Sequence, residues 1–255
     1  MGLFNFFKPK KSEPENLELI LQKATIDNAI RPLFYRTLLK SDLFILTLEG
    51  EQDITEQKKN TKNTTLSVKT LENGAVPVFT SPARILDNNI INKESGFVGI
   101  NAKILFESFK EGTSFILNPY SKFSKEFIPE EIIKLLKNEF YEPNQILKVK
   151  SREIIFRGIP ENYPVNLVES LKRYFDTREE IKAAYLALIH MESSYPKPYL
   201  LLGLEISNGD LVNIFGEACE IATPYLDKGE PIDMIKLTES DSISKQLKKL
   251  EYKIY

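Results

Sequence analysis

Apolar residues along this chain follow two kinds of spacing, and each predicts a different element. Leu17, Ile20, Leu21 and Ala24 recur at offsets of three and four, the stripe of an amphipathic helix. A second short helix is expected within residues 27–39, with Pro32 near its start, where the missing amide costs nothing. Residues 43–48 (LFILTL) are apolar except for Thr47 and read as a buried strand. Residues 65–71 alternate as a strand does, and Asn73-Gly74 turns the chain into a further strand at 76–80. Pro82 to Asp87 reads as a helical turn, Asn101 as the cap of a helix over 102–109, and 114–117 as another strand. Pro129 with Glu130 and Glu131 opens a helix, the early acids complementing its dipole.

Residues 139–144 (EFYEPN) break this pattern and mark a boundary, after which it becomes more regular. A strand at 153–159 leads into a helix over 164–176 with Leu167, Val168, Leu171, Tyr174 and Phe175 on one face. Residues 181–191 (IKAAYLALIHM) are apolar on both faces, as a central strand is, and 199–206 is its expected partner. Asp210 caps a helix whose Leu211, Ile214, Phe215, Ala218, Cys219 and Ala222 keep helical offsets. A strand at 232–237 and a helix over 240–250 complete the chain. The expected fold is α+β in two domains, mainly antiparallel sheets with helices packed on them. The second domain follows the β-α-β-β-α-β order of a ferredoxin-like split arrangement. The expected division is a tail over residues 1–14, a first domain over 15–143 and a second over 144–255.

Composition narrows the function more than it names one. Of 255 residues, 42% are hydrophobic, enough for packed cores and against global disorder. Lys and Arg number 34 against 36 Asp and Glu, so the chain lacks the basic excess with which proteins neutralise nucleic-acid phosphates, and no nucleic-acid partner is expected. A single cysteine excludes an internal disulfide framework and a cysteine-rich zinc site. No secretory leader and no apolar segment of spanning length, about 20 residues, is evident, which predicts a cytoplasmic protein with no integral membrane segment. The stretch from Met1 to Lys11 (MGLFNFFKPKK) joins aromatic and basic residues, but Pro9 cuts short any anchoring helix. It is expected to be a frayed or partner-docking tail, with weak peripheral membrane contact as the alternative. Residues 49–63 are polar and without period, as a flexible connection is.

No catalytic set emerges. His190 is the sole histidine and has no companion at ligand spacing, so neither a Ser-His-Asp triad nor an imidazole metal site can be written. Cys219, on an apolar stripe, predicts a buried inert thiol. Gly96–Gly99 (GFVG) has the spacing of a nucleic-acid-binding loop but no basic surroundings, and no Gly-rich phosphate loop occurs. The expectation is no catalytic residues, no metal and no cofactor. The candidate ligand-binding residues are Phe79, Thr80 and Ser81 at the end of one strand and Asn118 at the end of another. If these strands are neighbours, their polar ends line one rim; residues of these types also simply terminate strands and cap turns.

The ordered series 17–24, 32–39 (PLFYRTLL), 77–81 (PVFTS), 115–119 (FILNP), Tyr163-Pro164, 184–186 (AYL), 201–205 (LLGLE) and 232–237 (IDMIKL) resembles the SseB family, named for enhanced serine sensitivity. The closing helix and the terminal aromatic fit as well, although the ending YKIY departs from the family's aromatic-plus-basic close. The resemblance implies a two-domain bacterial α+β protein and supplies no reaction. The leading expectation is therefore a soluble cytoplasmic binding or regulatory protein with a protein partner, more a binding module than an enzyme. The alternatives are a hydrolase- or transferase-type enzyme working without His or Cys, and a toxin-neutralising, immunity-type protein.

Overall fold

The computed structural model describes residues 16–47, 67–87, 96–137, 154–191, 195–249 and 252–255. The expectations for the tail, for 49–63 and for the boundary at 139–144 lie outside these residues. The chain folds around two sheets. The first contains β1 (Asp42–Leu46), β2 (Val76–Phe79), β3 (Phe97–Asn101), β4 (Phe115–Leu117) and β5 (Lys125–Phe127), in the order β3-β1-β2-β4-β5. All its pairings are antiparallel except β2 with β4, which run parallel with Val78 opposite Leu117.

Side-chain alternation gives this sheet two different faces. Leu43, Ile45, Val76, Val78, Phe115 and Leu117 enter the main core beside α1 (Leu17–Ile26), α2 (Arg31–Leu38), α4 (Ala102–Ser108) and α5 (Pro129–Lys137). Leu46 and Phe79 point the other way and pack with Ile85 of the short α3 (Pro82–Ile85) and with Phe44 and Tyr120. The helices start where the sequence supplies caps. Asn16 accepts from the Glu18 amide at 3.0 Å and Asn101 from the Lys103 amide at 3.2 Å.

The second sheet holds β6 (Ile155–Gly158), β7 (Ile181–His190), β8 (Tyr199–Ile206) and β9 (Ile232–Lys236) in sequential order. The element order is the expected β-α-β-β-α-β. Because the strands are laid down side by side, α6 (Val165–Phe175) joins the antiparallel neighbours β6 and β7, whereas α7 (Leu211–Ala222) joins the parallel pair β8 and β9. Leu200, Leu202, Leu204 and Ile206 of β8 face α6 and α7, while Tyr199 and Leu201 face α8 (Ser242–Lys249) through Leu247. Burial on both faces explains why β7 and β8 read as mostly apolar runs, broken by Lys182 and His190 in β7 and by Glu205 in β8. Residues 252–255 return along the edge of β7 left free by the short β6, with the Ile254 amide donating to the Ala184 carbonyl at 2.8 Å.

The two cores are nearly separate. Ala29, 1% exposed in the 3-10 turn Asn28–Ile30, is the one described residue of the first domain that packs into the core of the second.

Candidate functional site

Parallel pairing of β2 with β4 brings their C-terminal ends to one place, and with them Thr80 and Asn118. The Asn118 side-chain oxygen accepts the Thr80 amide at 3.0 Å, and its Nδ2 donates to Thr80 Oγ1 at 3.0 Å. Its own amide donates to the Val78 carbonyl at 2.8 Å, and its carbonyl accepts from Ser121 at 2.9 Å. Asn118 is 1% exposed and holds a left-handed φ of 49°, a region Asn tolerates better than most residues. Phe79 is fully buried, its ring 6.5 Å from that of Tyr120. Thr80 and Ser81 stay half-buried at the mouth of the strand ends. The polar atoms of Asn118 are thus spent on the two strands that carry it.

Two further clusters escaped the sequence reading. The first is a groove of about 280 Å³ between the end of α4 and α5. Phe106, Phe109 and Phe115 are among its lining residues, the latter two rings edge to face at 5.1 Å, with Ile132, Ile133 and Leu136 from α5 and Lys110, Glu111 and Lys137 at its polar positions. Ile133 is 38% exposed there. Phe109 follows the last residue of a helix, where a bulky apolar side chain would have been the cue.

The second cluster centres on Glu217, whose side chain is only 7% exposed. Its Oε2 accepts from the Tyr174 hydroxyl at 2.8 Å, from Arg178 Nη2 at 2.5 Å and from Arg36 Nη1 at 2.9 Å. The other arm of Arg36 reaches the Thr177 carbonyl at 3.1 Å, just past the C-terminus of α6. Burial, and then the charge of Glu217, push the Tyr174 phenol far above the ordinary tyrosine range. The available signal was an acid on an apolar stripe, since Glu217 stands three residues after Ile214 and four before Ile221. The buried stripe of α7 runs through Asn213, Ile214, Glu217, Ala218, Ile221 and Ala222. It leaves Cys219 half-buried on the flank, which corrects the expectation of a buried thiol.

His190 ends β7 opposite Ile155, and its buried Nδ1 has no hydrogen-bond partner among the described residues. Residues 97–101 form a strand paired with β1, so the GFVG segment is not a loop between helices. Among the described residues no group of three or more His, Cys, Asp or Glu is placed to hold a metal ion. None of the described helices is long and apolar enough to cross a membrane.

These features define a two-domain α+β protein whose densest polar cluster joins its halves. Residues 17–133 match the SseB protein N-terminal domain and residues 156–250 the SseB protein C-terminal domain. The chain is 28% identical over 233 residues to Protein SseB of Escherichia coli (strain K12), and equally to Protein SseB of Shigella flexneri, covering 90% of this chain and 87% of each relative. It belongs to the SseB family. No solved structure matches it.

Proposed function

We propose that the protein is a cytoplasmic binding or regulatory protein that acts by docking a protein partner in the groove between α4 and α5. The observation that carries this reading is the groove's size and lining. At about 280 Å³ it falls just below the range of metabolite pockets, which run roughly 300–1,000 Å³. It suits one or two bulky apolar side chains of a peptide segment better than a whole metabolite. Lys110 and Lys137, which have no ion pair among the described residues, give the rim donors for an acidic or carbonyl-rich flank. The catalytic alternative has less support, because the most perturbed ionisable groups, Tyr174 and Tyr35, are bonded to Glu217 and Glu131 and not turned to open space. The rim of Phe79, Thr80, Ser81 and Asn118 keeps a second reading as a ligand contact, favoured by the convergence of two parallel strand ends. A link to serine tolerance rests on the family's name, and toxin neutralisation is one form that a tight single-partner complex would take.

Affinity capture of the tagged protein, compared with an Ile133→Glu variant, tests the reading. Ile133 is exposed enough for the charge to leave the fold intact. A stoichiometric partner lost with the variant supports the groove; equal capture by both overturns it.

A further inference from the structure

The interface between the two sheets is poor in apolar contact and rich in charge. Among the described residues its apolar part is Ala29 against the core around Leu167, Val168 and Leu171. Of its ion pairs, Arg173 with Asp27 at 2.7 Å is half-exposed on the arginine side, a class of pair that contributes little in water. Arg36 is different. It is 24% exposed and forks between Glu217, 7% exposed, and the carbonyl and hydroxyl of Thr177. One guanidinium from the first domain thus meets α7 and the turn just past α6, these being the two helices that cover one face of the second sheet. Interfaces without a large apolar area permit domain movement by default.

We propose that Arg36 is a latch that holds the two domains as one body, and that its release is the conformational change this fold is built to make. The arrangement makes release tolerable. When Arg36 withdraws, Glu217 keeps Arg178 and the Tyr174 hydroxyl, so no buried charge is stranded. The apolar seat of Ala29 is uncovered only then. The preceding residue, Tyr35, donates to Glu131 of α5 at 2.7 Å, so neighbouring positions on α2 grip different elements. A shift of α2 that frees Arg36 also pulls on α5. The latch itself, Arg36 with Glu217 and Thr177, involves none of the residues that line the docking groove, and the inference does not require that groove to bind anything.

Small-angle scattering and calorimetry on the full chain test it, with Arg36→Ala and Arg36→Gln as latch variants and Arg178→Ala as a control confined to the second domain. Both latch variants are expected to split one unfolding transition into two and to increase the radius of gyration. Arg178→Ala is expected to lower the transition of the second domain without enlarging the particle. One undivided transition and an unchanged radius in both latch variants would overturn the proposal, as would an equal expansion in Arg178→Ala.

Discussion

Asn118 and Thr80 exchange hydrogen bonds across the ends of two parallel strands, Oδ1 accepting the Thr80 amide and Nδ2 donating to the Thr80 hydroxyl. The pairing lets two strands of the sheet end together without leaving buried backbone groups unpaired. It also explains why the chain tolerates a φ of 49° at a residue that is not glycine.

Replacing Asn118 with Ala removes both bonds, strands the Thr80 amide and leaves the left-handed conformation unsupported. The expected loss is about 2–4 kcal/mol in urea unfolding. Asn118→Gly relieves the backbone but not the amide, so it should fall between wild type and Ala. If Ala and wild type unfold at the same midpoint, the pairing contributes nothing.

Gly203 lies in β8 where α8 crosses the sheet. A Cβ there would meet Leu247 Cδ2 at 2.6 Å and Leu237 Cδ2 at 2.8 Å. Gly203→Ala should therefore destabilise by about 1–3 kcal/mol through overpacking. In a Leu247→Ala background the nearer clash is gone and only that with Leu237 remains, so the same change should cost less. Additive effects in the double variant would refute this account of the close approach.

The second domain was legible because its central strands are buried on both faces. β8 occupies the expected 199–206 and β7 ends one residue before the expected limit. The first domain was harder to read for specific reasons. β3 contains Gly99, whose Cβ would stand 3.1 Å from the Phe44 ring, and it opens on an exposed Phe97. Its sequence therefore reads as a glycine loop. β5 is three residues long and includes two charges, too short for any period. Of the strand expected over 65–71, the described part shows only a single bridge, Val68 with Thr47. The meeting of Thr80 with Asn118 depended on which strands pair, and local pattern does not encode that. The Glu217 cluster joins residues 181 positions apart, and only its one acid on an apolar stripe marked it.

The closing residues pair with β7 through an antiparallel bridge between Lys253 and Tyr185 and the backbone hydrogen bonds beside it. The Leu186 amide donates to the Tyr252 carbonyl at 3.0 Å and the Ala184 amide to the Tyr255 carbonyl at 3.1 Å. Ile254 is 8% exposed, and the Tyr255 ring lies 5.4 Å from that of Phe175. Deleting residues 252–255 uncovers apolar surface worth about 1.5–3 kcal/mol for Ile254 alone. Hydrogen exchange at Ala184 and Leu186 should accelerate at least tenfold, while amides of β1 and β2 keep their protection. Unchanged exchange at Ala184 would mean that the strand forms without its outer neighbour.

Tyr174 sets the alkaline limit of the second domain. Its phenol is fully buried and bonded to Glu217, and burial followed by that negative charge raises its pKa far above the ordinary value near 10. Between the ordinary value and the raised one, the unfolded chain releases this proton and the folded chain keeps it. The native state then binds more protons, so stability is full below about pH 10 and falls as pH rises further. Tyr35, raised by burial and by Glu131, acts in the same direction. Tyrosinate absorbance should therefore show both phenols ionising only as the protein unfolds. Tyr174→Phe should lose about 1.5–3 kcal/mol at neutral pH, the contribution of a hydrogen bond to a charged group, with Glu217 still held by its arginines. The same variant should lose stability less steeply above pH 10, because it has no phenol there to ionise on unfolding. An alkaline limb as steep as the wild type's would show that Tyr174 ionises within the fold and that Glu217 does not hold its proton.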